Sequence, residues 1–105
     1  MKTVSPVHIS GHGHPLLFIH GGPGSSHRYF RPWVDPLSAR FRLVFYDQAG
    51  CTGPYDPQTP LTLEVLQRQL AGIVAGLDEK PVIAAHSWGA FLLASAVRDG
   101  ILSLD

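Results

Sequence analysis

One stretch, residues 82–90, constrains the fold of this chain more than any other. It begins with a run of β-branched and small apolar residues, which is typical of a short buried strand. Small and apolar residues from Trp88 onward predict a helix. Ser87 stands at the junction, with Ala85 two residues before it and Gly89 two residues after it. A sharp strand-to-helix turn needs small residues at both positions because it brings them close together, so we expect such a turn at Ser87.

The junction follows the G-x-S-x-G pattern of a nucleophile elbow, with alanine in place of the first glycine. In such a turn the hydroxyl Oγ of Ser87 projects from the end of the strand, and the free N–H groups of the helix N-terminus point to the same place. A serine at the start of a helix is also a common N-cap. This stretch alone therefore leaves two interpretations open, a nucleophile and a helix cap.

A glycine-rich loop follows another predicted strand. Residues 16–19 are apolar at every position, as expected for a strand that is covered on both faces, and they lead into His20-Gly21-Gly22-Pro23-Gly24. Three glycines and a proline allow the backbone to approach a ligand closely, whereas a plain tight turn needs only one or two such residues. We interpret the loop as functional. The N–H of Gly22 is the expected donor to a developing oxyanion, and His20 is expected to brace the loop by hydrogen bonds.

A third loop, residues 47–54, follows the apolar strand predicted at residues 42–46. Ligands of open α/β sheets bind at this end of the strands. We expect Asp47 to tie down its own loop through local hydrogen bonds. Cys51 has no cationic neighbour in sequence, so we interpret it as a packing residue and not as a reactive thiol.

The remaining segments complete an alternating order of strands and helices. Residues 4–9 predict an edge strand, and two prolines limit residues 25–40 to short, broken helical turns. Apolar residues at helical spacing over 63–77 predict an amphipathic helix with Thr62 as its N-cap. The helix after Ser87 is apolar on nearly all sides, so we expect it to be buried on most faces. The order predicts an α/β fold, a mostly parallel sheet with helices on both faces.

The three loops together resemble those of the α/β-hydrolase fold, and within it the proline iminopeptidase (prolyl aminopeptidase) group. The loop at residues 20–24 matches the group's HGGPG motif at every position. The loop after the next strand is similar to its D-Q-R-G-C motif, with Ala49 in place of arginine. The junction at Ser87 is similar to its G-G-S-W-G elbow, with Ala85 and His86 in place of two glycines. The resemblance runs from about Ile9 to the C-terminus.

The resemblance implies a serine hydrolase that releases N-terminal proline from small peptides. Ser87 would be the nucleophile, and the backbone N–H groups of Gly22 and Trp88 would form the oxyanion hole. The rest of the oxyanion loop would be His20, Gly21, Pro23 and Gly24. The reaction would be acyl transfer through an acyl-enzyme to water, and it requires no cofactor.

The chain departs from this family in one important respect. The family's catalytic acid and histidine follow the serine in sequence. No histidine follows Ser87, while Asp99 and Asp105 come too early to be the acid. His86 adjoins the serine but points to the opposite face of the strand. We therefore expect residues 1–105 to be the N-terminal portion of an α/β-hydrolase domain, up to and including the elbow, and to be inactive alone.

Two alternatives to a proline-releasing peptidase remain. The first is an esterase, a lactonase or a C–C bond hydrolase on the same fold, acting on a small ester or related substrate. The second is a non-catalytic module that associates with itself, because the predicted elbow strand would leave an open edge with unpaired N–H and C=O groups.

Composition excludes several other classes of function. The chain has 8 basic and 8 acidic residues, so its charge gives no reason to expect nucleic acid as a partner. We expect neither a signal peptide nor a membrane partner, because no basic-then-apolar stretch opens the sequence and no apolar run reaches membrane-spanning length. A single cysteine cannot form an internal disulfide, which favours the cytoplasm. The six histidines lack helical i, i+4 pairing and a cysteine at zinc spacing, so we expect no metal site.

Overall fold

The computed structural model describes residues 7–22, 24–51 and 60–104. The strands and helices, in chain order, are β1 (Val7–Ser10), β2 (His14–Ile19), β3 (Phe41–Tyr46), α1 (Leu63–Ala75), β4 (Val82–Ala85) and α2 (Trp88–Arg98). Two 3₁₀ turns lie between β2 and β3, at His27–Phe30 and Asp35–Ala39. The prediction of short, broken turns in that segment is confirmed. The first residues of the predicted edge strand, 4–6, lie outside the described residues.

The four described strands form one sheet in the order β1-β3-β2-β4. β2 is parallel to both β3 and β4, and its Leu17 stands opposite Val44 on one side and Ile83 on the other. β1 runs antiparallel to β3, with His8 opposite Phe45. The prediction of a mostly parallel α/β sheet is therefore confirmed, and the antiparallel strand lies at one edge.

Alternate side chains of β2 and β3 form two separate cores. On one face they pack with α1, α2 and the segment after α2, and the buried set is Leu17, Ile19, Val44, Tyr46, Leu70, Ile73, Leu92, Ala96 and Leu102. On the other face they pack under the 3₁₀ segment, and the set is Leu16, Phe18, Leu43 and Phe45, covered by Phe30 and Val34. Burial on both faces explains why residues 16–19 of β2 and 43–46 of β3 are apolar at every position. Both α-helices share one face, and 3₁₀ turns cover the other.

Helix α1 has the predicted cap and one unexpected buried residue. The hydroxyl of Thr62 accepts a hydrogen bond from the N–H of Val65 at 3.2 Å, so its predicted role as N-cap is confirmed. Gln67, which the helical pattern assigns to the polar face, is buried against α2. Its side-chain amide donates to Ser95 Oγ at 3.1 Å and to Asp99 Oδ2 at 2.9 Å.

Helix α2 and strand β4 expose apolar surface. The prediction that α2 is buried on most faces is wrong, because Phe91 is 49% exposed and Val97 is 40% exposed. Only one side of the helix contacts the sheet and α1. Among the described strands β4 pairs with β2 alone, so its other edge is open, and Val82 there is 51% exposed. Neither α1 nor α2 has the length and hydropathy that a membrane-spanning helix requires.

Candidate active site

The backbone at Ser87 forms a strained turn between β4 and α2. Its φ is 56° and its ψ is −118°, and it is the only non-glycine residue with positive φ in the described ranges. Such a conformation costs about 1–3 kcal/mol and occurs preferentially at functional sites. The side chain is exposed and makes no capping hydrogen bond to α2. Ser87 thus stands at the N-cap position of α2, but its hydroxyl does not cap the helix.

Close packing of α2 on the end of β2 holds this turn in place. A Cβ at Gly89 would lie 2.5 Å from the carbonyl oxygen of Ile19 and 2.7 Å from that of His20, so only glycine fits. The N–H of His86 donates to Ile19 O at 3.1 Å, and the N–H of Gly89 donates to His86 O at 2.8 Å. The second small residue of the elbow is thus required by the approach of two backbones.

The amide of Gly22 in the glycine loop has no partner among the described residues. The Gly21 N–H donates to the phenol oxygen of Tyr29. The Gly22 N–H makes no hydrogen bond to any described residue, and neither does the N–H of Trp88, the first residue of α2. These are the two amides that the resemblance assigns to the oxyanion hole, and that role stays a prediction.

The backbone conformation of the glycine loop requires glycine at positions 22 and 24. Gly22 has a φ of 126° and Gly24 a φ of 94°, which side-chain-bearing residues rarely adopt. A Cβ at Gly22 would lie 2.7 Å from the backbone nitrogen of Gly24. Pro23, the fourth residue of the predicted oxyanion loop, lies outside the described residues.

A buried hydrogen-bond network joins the three loops that the sequence singled out. His20 is fully buried; its Nδ1 lies 2.7 Å from Gly21 O, and its Nε2 accepts from the backbone N–H of Gln48 at 3.0 Å. The Gln48 side chain donates to His20 O at 2.7 Å and accepts from Trp88 Nε1–H at 2.9 Å. Both ring nitrogens of His20 are thus engaged in holding the loop. This role of Gln48 cannot be predicted from the sequence, because it depends on contacts with residues distant in sequence.

No described histidine is placed to act as a base for Ser87. His86 is exposed, and its Nδ1 lies 2.8 Å from the hydroxyl of Tyr29. His27 lies with its Nδ1 2.8 Å from Asp47 Oδ1. Within residues 7–22, 24–51 and 60–104, no hydrogen bond joins a histidine to Ser87. The described residues therefore supply a nucleophile candidate and two free amides, but no base.

The side chain of Asp47, the residue after β3, forms hydrogen bonds with the 3₁₀ turn that follows the glycine loop. Its Oδ1 accepts a hydrogen bond from the backbone N–H of His27 at 2.7 Å. The same oxygen lies 2.8 Å from the ring Nδ1 of that histidine. The prediction from the sequence is a bond within one loop, and this contact spans two loops. His8, His27 and Asp47 also form a possible metal-ligand set, because one donor atom of each lies within 4.8 Å of the others.

A cavity of about 420 Å³ lies beside the elbow, between the loop after β3 and the start of α1. Most of its wall is apolar. The lining residues include Gly24, Gln48, Cys51, Leu63, Leu66 and Trp88. Cys51 is a half-buried free thiol in this wall. The cavity can accept a small apolar group next to the first turn of α2.

Comparison with known proteins places these features in a family. The sequence model that describes the "Alpha/beta hydrolase family" matches residues 16–104 of this chain. The proline iminopeptidase of Saccharolobus solfataricus is 33% identical over an alignment 100 residues long, which covers 86% of this chain and 31% of that protein. The chain thus spans about a third of the length of this curated relative.

Solved structures show the same likeness. The chain superimposes on an alpha/beta hydrolase from Sphaerobacter thermophilus with a TM-score of 0.77 and 25% identity, over 90% of this chain and 36% of the other. A proline iminopeptidase-related protein from Thermus thermophilus matches with a TM-score of 0.74 and 28% identity, over 88% of this chain and 35% of the other.

Proposed function

The chain belongs to the alpha/beta hydrolase family, and from this membership we propose that it carries the nucleophile of a serine hydrolase of proline iminopeptidase type. The observation that carries the proposal is the backbone of Ser87. With φ at 56° and ψ at −118°, the residue stands exposed at the strand-to-helix junction, and its hydroxyl makes no capping hydrogen bond to the helix. A strained, exposed serine at this point is the arrangement that a nucleophile elbow requires.

The proposed reaction begins with attack of Ser87 Oγ on the carbonyl carbon of the substrate. The carbonyl oxygen becomes an oxyanion, which the N–H groups of Gly22 and Trp88 stabilise, and each such donor is worth about 3–4 kcal/mol. Collapse of the tetrahedral intermediate releases the amine and leaves an ester on Ser87. Water then adds to this acyl-enzyme and releases the acid. The buried bonds of Gln48 to His20 and Trp88 support the proposal, because they hold both donor loops together.

The Ser87 proton must pass to a base during attack. The ring of His20 is engaged at both nitrogens, and Nδ1 of His86 faces Tyr29. We therefore propose that the acid and histidine of the catalytic triad must be added to residues 1–105 before turnover occurs. Loss of triad residues lowers rates by roughly 10⁴- to 10⁶-fold, so the chain alone should hydrolyse substrates very slowly.

We propose small peptides with N-terminal proline as the substrate class. The apolar cavity of about 420 Å³ beside Trp88 supports this choice, because it is large enough for a pyrrolidine ring. The similarity to the Saccharolobus solfataricus enzyme supports it as well. We further propose a cytoplasmic location, since the single cysteine offers no internal disulfide.

A fluorophosphonate probe tests the nucleophile. We expect little labelling of the 105-residue chain and rapid labelling of a chimera in which the remainder of the Saccharolobus solfataricus enzyme follows Asp105. Ser87→Ala should abolish the labelling, while Ser103→Ala, which changes an exposed serine outside the elbow, should leave it unchanged. Equal labelling of the chimera with and without Ser87 would exclude this serine as the nucleophile.

A pair of reporters tests the substrate class on the longest natural protein in which this sequence occurs. Proline p-nitroanilide should be cleaved in preference to a p-nitrophenyl ester. Cleavage of the ester alone, still dependent on Ser87, would retain the serine hydrolase and replace the peptidase by an esterase or lactonase.

A further inference from the structure

Three residues from separate segments meet on the sheet face opposite the two α-helices. His8 lies on β1, His27 begins the first 3₁₀ turn, and Asp47 follows β3. One possible ligand atom from each lies within 4.8 Å of the other two. We propose that His8, His27 and Asp47 bind a divalent transition-metal ion of the Zn²⁺ class. The proposal stands apart from the hydrolase reaction and does not depend on it.

Two of the three ligands already stand next to each other, and the ion would displace to water the proton that they share. Asp47 Oδ1 lies 2.8 Å from His27 Nδ1 and accepts the His27 backbone N–H at 2.7 Å. Both side chains are largely buried, at 10% exposure for His27 and 14% for Asp47. The backbone hydrogen bond restrains both side chains, and burial shields them from water. The restraint lowers the side-chain conformational entropy that would be lost when a metal binds.

His8 completes the set from the edge strand. Its ring stacks on that of His27 with centroids 4.5 Å apart and planes at 19°. Zn²⁺ binds nitrogen and oxygen at about 2.0–2.2 Å, so tetrahedral ligand atoms stand about 3.3 Å apart. The His8 side chain is exposed, so rotation about its own bonds can bring a ring nitrogen to this distance from the other two ligand atoms. Water would fill the remaining coordination position.

The ligand types select the class of metal. Imidazole nitrogens favour Zn²⁺, Ni²⁺, Co²⁺ and Cu²⁺, whereas Ca²⁺ and Mg²⁺ require mostly oxygen ligands.

The neighbouring cation Arg31, which lies over the ring of Phe45, is paired with Asp35 at 2.8 Å. Its charge is therefore offset close to the site.

A second histidine–carboxylate pair offers a matched control. His14 Nδ1 lies 3.2 Å from Glu79 Oε1, but both side chains are about half exposed, at 45% and 51%. No third ligand joins them among the described residues. If Zn²⁺ bound to any surface histidine beside a carboxylate, it would bind His14 and Glu79 as readily as the proposed site.

The test is calorimetric titration of the full 105-residue chain with Zn²⁺, together with visible spectra of the Co²⁺-loaded chain. We expect one ion per chain, and His8→Gln should weaken binding by about tenfold or more and reduce the ligand-field bands. His14→Gln should leave affinity and spectrum unchanged. His8 is the decisive position because its side chain is exposed, so its substitution leaves the packed core intact.

A thermal measurement provides an independent readout. Zn²⁺ should raise the Tm of the unmodified chain, because the ion links β1, the 3₁₀ turn and the end of β3, and a chelator should reverse the shift. The shift should be lost in His8→Gln and kept in His14→Gln. Equal Zn²⁺ affinity in the original chain and His8→Gln, or an equal loss in His14→Gln, would overturn the proposal.

Discussion

Single residues decide whether the elbow can form. Gly89 lets α2 approach two carbonyl oxygens at the end of β2, and Gln48 links the glycine loop to Trp88. Tyr29 holds the amide of Gly21 and contacts His86. None of these side chains performs chemistry in the proposed reaction. They determine where the hydroxyl of Ser87 and the two free amides stand.

Gly89→Ala should destabilise the chain by about 1–3 kcal/mol, because the new methyl group overlaps backbone atoms that cannot move independently. The measurement is urea denaturation followed by circular dichroism. Gly72→Ala is the matched control in α1, where a Cβ meets nothing within 4 Å. It should stabilise the chain by about 1 kcal/mol through helix propensity. Equal stability of Gly89→Ala and the original chain would contradict the proposed packing.

Tyr46→Phe should be neutral or stabilising. The Tyr46 hydroxyl is buried without a hydrogen-bond partner among the described residues, and this burial raises its pKa. Leaving a buried polar group unpaired costs about 1–3 kcal/mol, so removing the hydroxyl removes that cost. Tyr29→Phe is the control, since it deletes a hydroxyl that binds Gly21 and should lose about 1 kcal/mol. A larger loss of urea stability in Tyr46→Phe than in Tyr29→Phe would refute this assignment.

At the scale of elements, polar bonds connect the two helices. Gln67 of α1 reaches Ser95 and Asp99 of the α2 segment from within an otherwise apolar interface. Ser95 Oγ in turn donates to Leu92 O at 2.9 Å. Because both partners of Gln67 belong to the last turn and the C-cap of α2, the bonds set how the two helices align along their axes.

The pH dependence of stability should report the contact at Asp99. Arg98 first, and then Gln67, lower the pKa of Asp99 from 3.8 to about 2. A folded pKa below the unfolded value means that this stabilisation is fully present above pH 3.8 and is lost as the pH falls through about 2. Asp99→Asn should therefore have a lower urea midpoint than the original chain at neutral pH, and the two midpoints should converge near pH 2.

Glu64→Gln is the control for this prediction, because Glu64 forms an exposed pair with Arg68 and takes no part in the bonds between Gln67 and α2. It should leave the difference between the two Asp99 forms unchanged. A midpoint difference that is constant from neutral pH to pH 2 would show that Asp99 acts through packing and not through its charge.

At the scale of the whole molecule, the sheet formed by the described strands has an open edge beside an exposed apolar helix face. The free edge of β4, with Val82 at 51% exposure, adjoins α2, which exposes Phe91 and Val97. Unpaired strand edges are templates for pairing with another chain. We therefore propose that the 105-residue chain associates with a second copy through β4.

Sedimentation velocity tests this association over a range of concentrations. The chain should show a concentration-dependent shift from monomer to dimer, and Val82→Lys should favour the monomer because a charged edge residue blocks strand pairing. Leu104→Lys, at an equally exposed position outside the sheet, should not change the shift. A chain that stays monomeric at every concentration would contradict the proposal.

The sequence alone determined the positions of the strands, the helix capped by Thr62 and the turn at Ser87. These features follow from the local pattern of apolar residues, glycines and capping residues, which acts over a few positions of the chain. The mostly parallel sheet followed from the alternation of strands and helices for the same reason.

Only the tertiary structure decided which polar side chains are buried and which distant residues meet. Gln48 and Gln67 resemble surface glutamines in sequence, but contacts with Trp88 and Asp99 bury their amides. The same holds for the set formed by His8, His27 and Asp47, which no spacing along the chain reveals. The exposure of Phe91 on α2 likewise depends on what packs beside the helix. Burial and convergence arise between segments far apart in sequence, whereas a local pattern carries information only about its own neighbours.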